Sequence, residues 1–109
     1  MSLSFPYLNN VDERAIIGLI VSDTLAAGHV VSVYDGEEWA LKRSEKAQDI
    51  ASEIGASDET QLRIRRADGS VLGWVLLIHG NGSDVICDYS DNEELNSLLE
   101  RANTRADAA

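Results

Sequence analysis

The sequence holds one cysteine, one proline, one methionine, one phenylalanine and two histidines. A lone thiol, Cys87, cannot close an internal disulfide, and no cysteines and histidines stand at zinc-site spacing, so neither a metal nor a cofactor is expected. Long apolar runs are missing too. The longest, "VLGWVLLI" at 71–78, is far short of the ~20 residues that span a bilayer, and no membrane association is expected. The opening "MSLSFPYLNN" lacks the basic start and apolar core of a signal peptide, which together with the free thiol gives a cytoplasmic expectation.

Positive charge is the next scarcity. Nine basic residues stand against 19 acidic ones, giving a net charge of −10 spread along the chain. That mean field repels a phosphate backbone, so direct nucleic-acid binding is disfavoured, whereas a basic protein partner is attracted. What remains is an ordinary globular composition, 44% apolar and 26% charged, over 109 residues. A single domain over 1–109 is expected, with an ordered core at about 8–103 and a frayed tail at 104–109.

Periodicity and caps predict an α+β fold in the order α-β-β-α-β-β-β-α, an antiparallel sheet with helices mainly on one face. Asn10 caps a helix over 11–27 that stops at Gly28. Asp35-Gly36 turns a hairpin, setting Val30, Ser32 and Tyr34 on the same face as Trp39 and Leu41. Ser44 caps a short helix ending at Gly55, with Ala47, Ile50, Ala51 and Ile54 on one stripe. Asp68-Gly69 and Asn81-Gly82 then turn a three-stranded meander. Leu95, Leu98, Leu99 and Ala102 follow at helical spacing, and Ser90 with Glu93 reads as a capping box, with Asp91 and Glu94 offering the same device one residue later.

Register tests the chemistry. Around Asn81-Gly82, His79 pairs with Asp84, Leu77 with Ile86 and Val75 with Asp88. Cys87 then points away from His79, which excludes a nucleophilic dyad and leaves Cys87 a small buried hydrophobe. His79 with Asp84 is a candidate acid/base or ligand pair, with Asp88 on the same face but too distant for a compact third ligand. The acids of "DYSDNEE" lack the alternation and glycine of a calcium loop, and "HGNGSD" lies between strands, not before the helix that a phosphate loop requires.

Around Asp68-Gly69, Arg63 pairs with Trp74 and Arg65 with Leu72, on a face shared with Leu76, Ile78, Val85, Cys87 and Tyr89. Arg63, Arg65, Trp74, Leu76, Ile78 and Tyr89 therefore form a candidate interaction face, because arginine beside aromatic and aliphatic groups is the composition of an interface core.

The segments "VYDGEEWALKRS", "IASEIGASDETQLRI" and "ADGSVLGWVLLIHGNGSDVICDYSDN" resemble a group of small proteins encoded in phage genomes and prophages. That group shares a D-G-E-E hairpin and a G-N-x-x-D-V-I-x-D-Y segment, over about residues 30–92 here. The resemblance implies no activity and no functional residues. Sequence and resemblance together lead to a non-enzymatic phage-type accessory protein that binds another protein, as an inhibitor or a nucleic-acid charge mimic toward a basic host factor. A small enzyme or ligand-binding domain at His79/Asp84 and a structural homodimer are the alternatives.

Overall fold

A computed structural model describes residues 3–108. Helix α1 (Val11–Ala26) is followed by strands β1 (Val30–Tyr34) and β2 (Trp39–Ser44) and helix α2 (Ala47–Glu53). Strands β3 (Glu59–Arg65), β4 (Val71–Ile78) and β5 (Ile86–Tyr89) come next, with one 3₁₀ turn, Gly82–Asp84, before the last strand. Helices α3 (Glu93–Leu98) and α4 (Glu100–Ala108) end the described chain. The fold is α+β with one antiparallel sheet of five strands in the order β2-β1-β3-β4-β5. It departs from the expected order in that the last helix is divided at Leu99.

The two β units join because β1 pairs with β3, Val30 opposite Arg65 through Tyr34 opposite Gln61. Since β1 is antiparallel to both neighbours, β2 and β3 run in the same direction, and α2 carries the chain across β1. One sheet face is dry. Val31, Val33, Leu62, Ile64, Val75 and Leu77 on the strands meet Ile16, Ile17, Ile20 and Val21 of α1, Ile50 and Ala51 of α2, and Leu95 and Leu99 at the C-terminal helices. Burying side chains of this kind contributes roughly 1.5–3 kcal/mol each, which fixes the strand parity wherever the ladder is regular.

Four irregularities in the ladder shift that parity and correct the expected register. In β2, Val31 pairs with Ser44 and Val33 with Leu41, so Lys42 and Arg43 together oppose Ser32. A second shift brings Trp39 opposite Tyr34, and Leu41 packs on the core instead of beside Trp39. In the β3/β4 pair, Arg63 faces Trp74 as expected, but Arg65 pairs with Val71 and not Leu72. Leu72 turns into the core and Val71 is 48% exposed, the reverse of their expected sides. In β5, Leu77 pairs with Ile86 as expected, but Leu76 pairs with Asp88 and Val75 with Tyr89. The extra residue is Cys87, which is exposed and not buried. Val85, expected beside Cys87, lies in the core.

Local chemistry also differs in places. Asn10 does cap α1, accepting from the N–H groups of Asp12 (2.8 Å) and Glu13 (3.1 Å). The β1/β2 loop is longer than a two-residue turn, because the Asp35 carboxylate accepts from Glu37 and Glu38 N–H (both 2.9 Å). Ser44 belongs to β2, and α2 has no side-chain cap. Helix α3 is capped by Asn92, which accepts from Leu95 N–H (2.7 Å), not by a box from Ser90 or Asp91. Ser90 instead accepts from Trp74 N–H (3.0 Å). Residues 104–108, expected as a tail, are helical, with Arg105 paired to Asp12 at 2.8 Å; Ala109 lies outside the described residues.

Candidate functional site

Sequence register places His79 opposite Asp84, and the structure separates them. Ile78 N–H bonds to Val85 O, and His79 N–H crosses instead to Asp58 O before β3 (both 2.9 Å). The imidazole enters the helix-covered side, where Nδ1 lies 3.1 Å from Glu13 Oε1 and Nε2 lies 2.8 Å from Thr60 Oγ1. Gly80 N–H donates to Glu13 Oε2 (3.2 Å) and Gly55 N–H donates to Thr60 Oγ1 (3.1 Å). Asp84 and Asp88 are both exposed, and Asp88 lies opposite Leu76 on the other face. No group of three or more His, Cys, Asp or Glu able to hold a metal ion occurs among the described residues.

Carboxylate, imidazole and hydroxyl in that order are the sequence of a nucleophilic triad, so the cluster must be judged by access. Thr60 is 1% and Glu13 3% exposed. With Nδ1–H directed at the carboxylate, Nε2 accepts from the Thr60 hydroxyl, whose lone pair already receives Gly55 N–H. Each polar atom is therefore engaged within the protein, and no substrate atom reaches the hydroxyl. The cluster ties α1 to β3 and β4.

The opposite sheet face is built differently. Tyr34, Trp39, Arg63, Arg65, Trp74, Leu76 and Ile78 are all partly exposed, and none belongs to the core. Tyr89, expected among them, packs against the core opposite Val75 and leaves this face. Arg63 lies 5.1 Å from the centroid of the Trp39 ring, and Tyr34 meets that ring edge-on at 5.1 Å and 61°. These contacts hold a planar cation and two rings in fixed positions.

Charge at the β2 corner of this face is of the scarce sign, whereas Glu59 and Asp88 lie toward its other end, opposite Ile78 and Leu76. Lys42, Arg43, Arg63 and Arg65 surround a cleft of about 180 Å³ together with Ser32 and Trp39. Elsewhere Arg66 pairs with Glu94 (2.7 Å), Arg101 with Asp23 (2.8 Å) and Arg105 with Asp12 (2.8 Å). None of the four cleft cations forms an ion pair with a carboxylate among the described residues; Arg65 only donates to Gly69 O (3.0 Å). Sequence reading found Arg63 and Arg65 but missed Lys42, Arg43, Trp39 and Ser32, because strict alternation puts Lys42 and Arg43 on opposite sides.

The carboxyl groups held below their ordinary range lie outside both clusters. Asp35 is lowered by the N–H groups of Glu38 and Glu37, Asp68 by the Ser70 hydroxyl, and Glu94 by the Arg66 guanidinium, whose own value rises in return. These are turn and surface contacts. A cleft of about 950 Å³ between α1 and the C-terminal helices is bordered by Leu19 and Leu98, and its cations are already paired, Arg101 with Asp23 and Arg105 with Asp12.

A five-stranded antiparallel sheet with helices over one face and a basic, aromatic patch on the other is thus the class of protein that fold and site define. Comparison with protein-family models, curated proteins and solved structures finds no match.

Proposed function

We propose that this chain is a non-enzymatic binding module that works through the open face of its sheet and takes an acidic segment of a partner protein. The observation that carries this reading is the concentration of cations, unpaired among the described residues, around half-buried aromatic rings on that face, in a protein whose net charge is −10. Aromatic and arginine side chains with aliphatic neighbours supply anchor contacts, and the cations supply register and a faster encounter. The phage-type accessory role fits a chain of this size that acts by binding. Mimicry of nucleic-acid charge toward a basic host factor would use the acidic remainder of the surface, because the β2 corner of the sheet face bears the opposite sign.

A homodimer through this face is less favourable. A two-fold contact is made by the same patch twice, so the cationic corner would enter the interface in two copies with its charge doubled. The enzyme reading at His79 loses its support through the burial of Glu13 and Thr60.

The test is affinity capture with the intact chain, compared with the double variant Trp74→Ala/Leu76→Asp and with Val11→Asp as a control outside the face. A partner retained by the wild type and the control, released by about 0.3 M salt and lost from the double variant supports the reading. A partner held equally by the double variant overturns it.

A further inference from the structure

We propose that the bulged corner of β2 builds a binding site for a phosphomonoester group, held by Ser32, Lys42, Arg43, Arg63 and Arg65 beside Trp39. Its origin is geometric. Two residues oppose one at the bulge, so Lys42 and Arg43 both border the cleft at Ser32, where a regular strand would offer one of them. Arg43 makes this possible by adopting φ +50°, the only positive φ of a non-glycine residue among those described. A left-handed arginine is strained, and nothing in the local sequence demands it. Strain of this kind persists where the surroundings hold it, and here they do: Arg43 N–H donates to Ser32 Oγ at 2.9 Å.

Ser32 is the second part of the site. It is buried, its oxygen accepts from Arg43, and its own hydroxyl proton has no acceptor among the described residues, although the residue lines the cleft. A donor so placed suits an oxyanion. Arg63 is the third part, its guanidinium placed over Trp39 and so already ordered before a ligand arrives.

The chemistry of the ligand follows from size and charge. A cleft of about 180 Å³ takes a head group and not a whole cofactor. Four cations match a dianion better than a monoanion, and a monoester carries roughly −1.5 to −2 at pH 7, whereas a backbone diester carries about −1 per group. The remaining negative field of the protein repels a polyanion but acts weakly on one small group bound inside the cleft. The site needs no docked protein, so it and the docking reading fail separately: docking is lost if the Trp74/Leu76 variant keeps its partner, the pocket if phosphate fails to saturate it.

The experiment is a titration of the isotopically labelled full chain with inorganic phosphate, phenyl phosphate, acetate and an oligothymidylate at constant ionic strength, followed through the amide resonances of Ser32 and Arg43. Phosphate and phenyl phosphate are expected to saturate with dissociation constants on the order of 1 mM. Arg43→Gly and Arg63→Gln should each weaken phenyl phosphate about tenfold. Because glycine accepts the left-handed conformation, Arg43→Gly retains the fold, so its loss of binding is not a loss of structure. Non-saturating shifts, unchanged affinity in both variants, or tighter binding of acetate than of phosphate would each overturn the site. Tighter binding of the oligothymidylate than of phenyl phosphate would overturn the monoester assignment.

Discussion

Two polar clusters occupy opposite faces of one sheet, and they treat their hydrogen-bonding groups in opposite ways. On the covered face Glu13, His79 and Thr60 engage one another and the N–H groups of Gly55 and Gly80. On the open face Lys42, Arg43 and Arg63 present cations with no carboxylate partner among the described residues, where the Ser32 proton is likewise unengaged. A buried charge without partners costs several kcal/mol, so the inner cluster has to be complete for the fold to exist. An exposed cation costs nothing of the kind, so the fold does not require the outer cluster to be complete. The difference separates groups that hold the protein together from groups free to hold something else.

The comparison breaks first at Glu13. Glu13→Ala removes both acceptors of His79 and Gly80 and opens a void between α1 and β4, and a loss of about 3 kcal/mol is expected in urea denaturation. The variant should still bind phenyl phosphate as the wild type does under conditions where it is folded. A fully stable Glu13→Ala that had lost ligand binding would exchange the roles of the two clusters.

How much of this was legible beforehand depends on where the ladder is regular. Arg63 opposite Trp74 and Leu77 opposite Ile86 follow from turn position and alternation, and both are observed. Alternation puts Leu41 and Tyr89 on the wrong face because one irregularity lies between each of them and its turn, and Leu72 because it is itself the extra residue of the β4 irregularity, beyond which Trp74 and Val75 keep the expected sides. Only one of these carries a usable sequence signal: Gly73, in the middle of β4, marks a close approach, since a Cβ there would meet Ser90 Oγ and, at 3.0 Å, Leu95 Cδ2. Lys42-Arg43 has no glycine to announce a bulge. The Glu13–His79 contact spans 66 positions, and no local pattern links its two ends.

The second prediction sharpens the comparison from the outer side. If the strain at Arg43 is kept for binding, relieving it should stabilise the protein: Arg43→Gly is expected to gain about 1 kcal/mol, offset in part by the greater freedom of glycine in the unfolded chain. Thermal unfolding reads the gain, and Arg43→Ala, which removes the charge and keeps the strain, should show none of it. Equal stability of the two variants would mean that the left-handed backbone stores no strain.

The smallest effect is expected at Thr24, which qualifies the contrast between engaged and free groups. Its Oγ1 is buried with no hydrogen-bond partner among the described residues, so it is as unengaged as the Ser32 proton, yet it sits fully enclosed at the inner side of α1. An unengaged group that nothing can reach is a cost without a use. Thr24→Val keeps the shape and removes the hydroxyl, and a gain of a few tenths to about 1 kcal/mol is expected in urea denaturation, with phosphate binding unchanged. A loss of stability would show that the Thr24 hydroxyl has a partner after all. The gain would restrict functional meaning to polar groups that are both free and accessible, as those at the β2 bulge are.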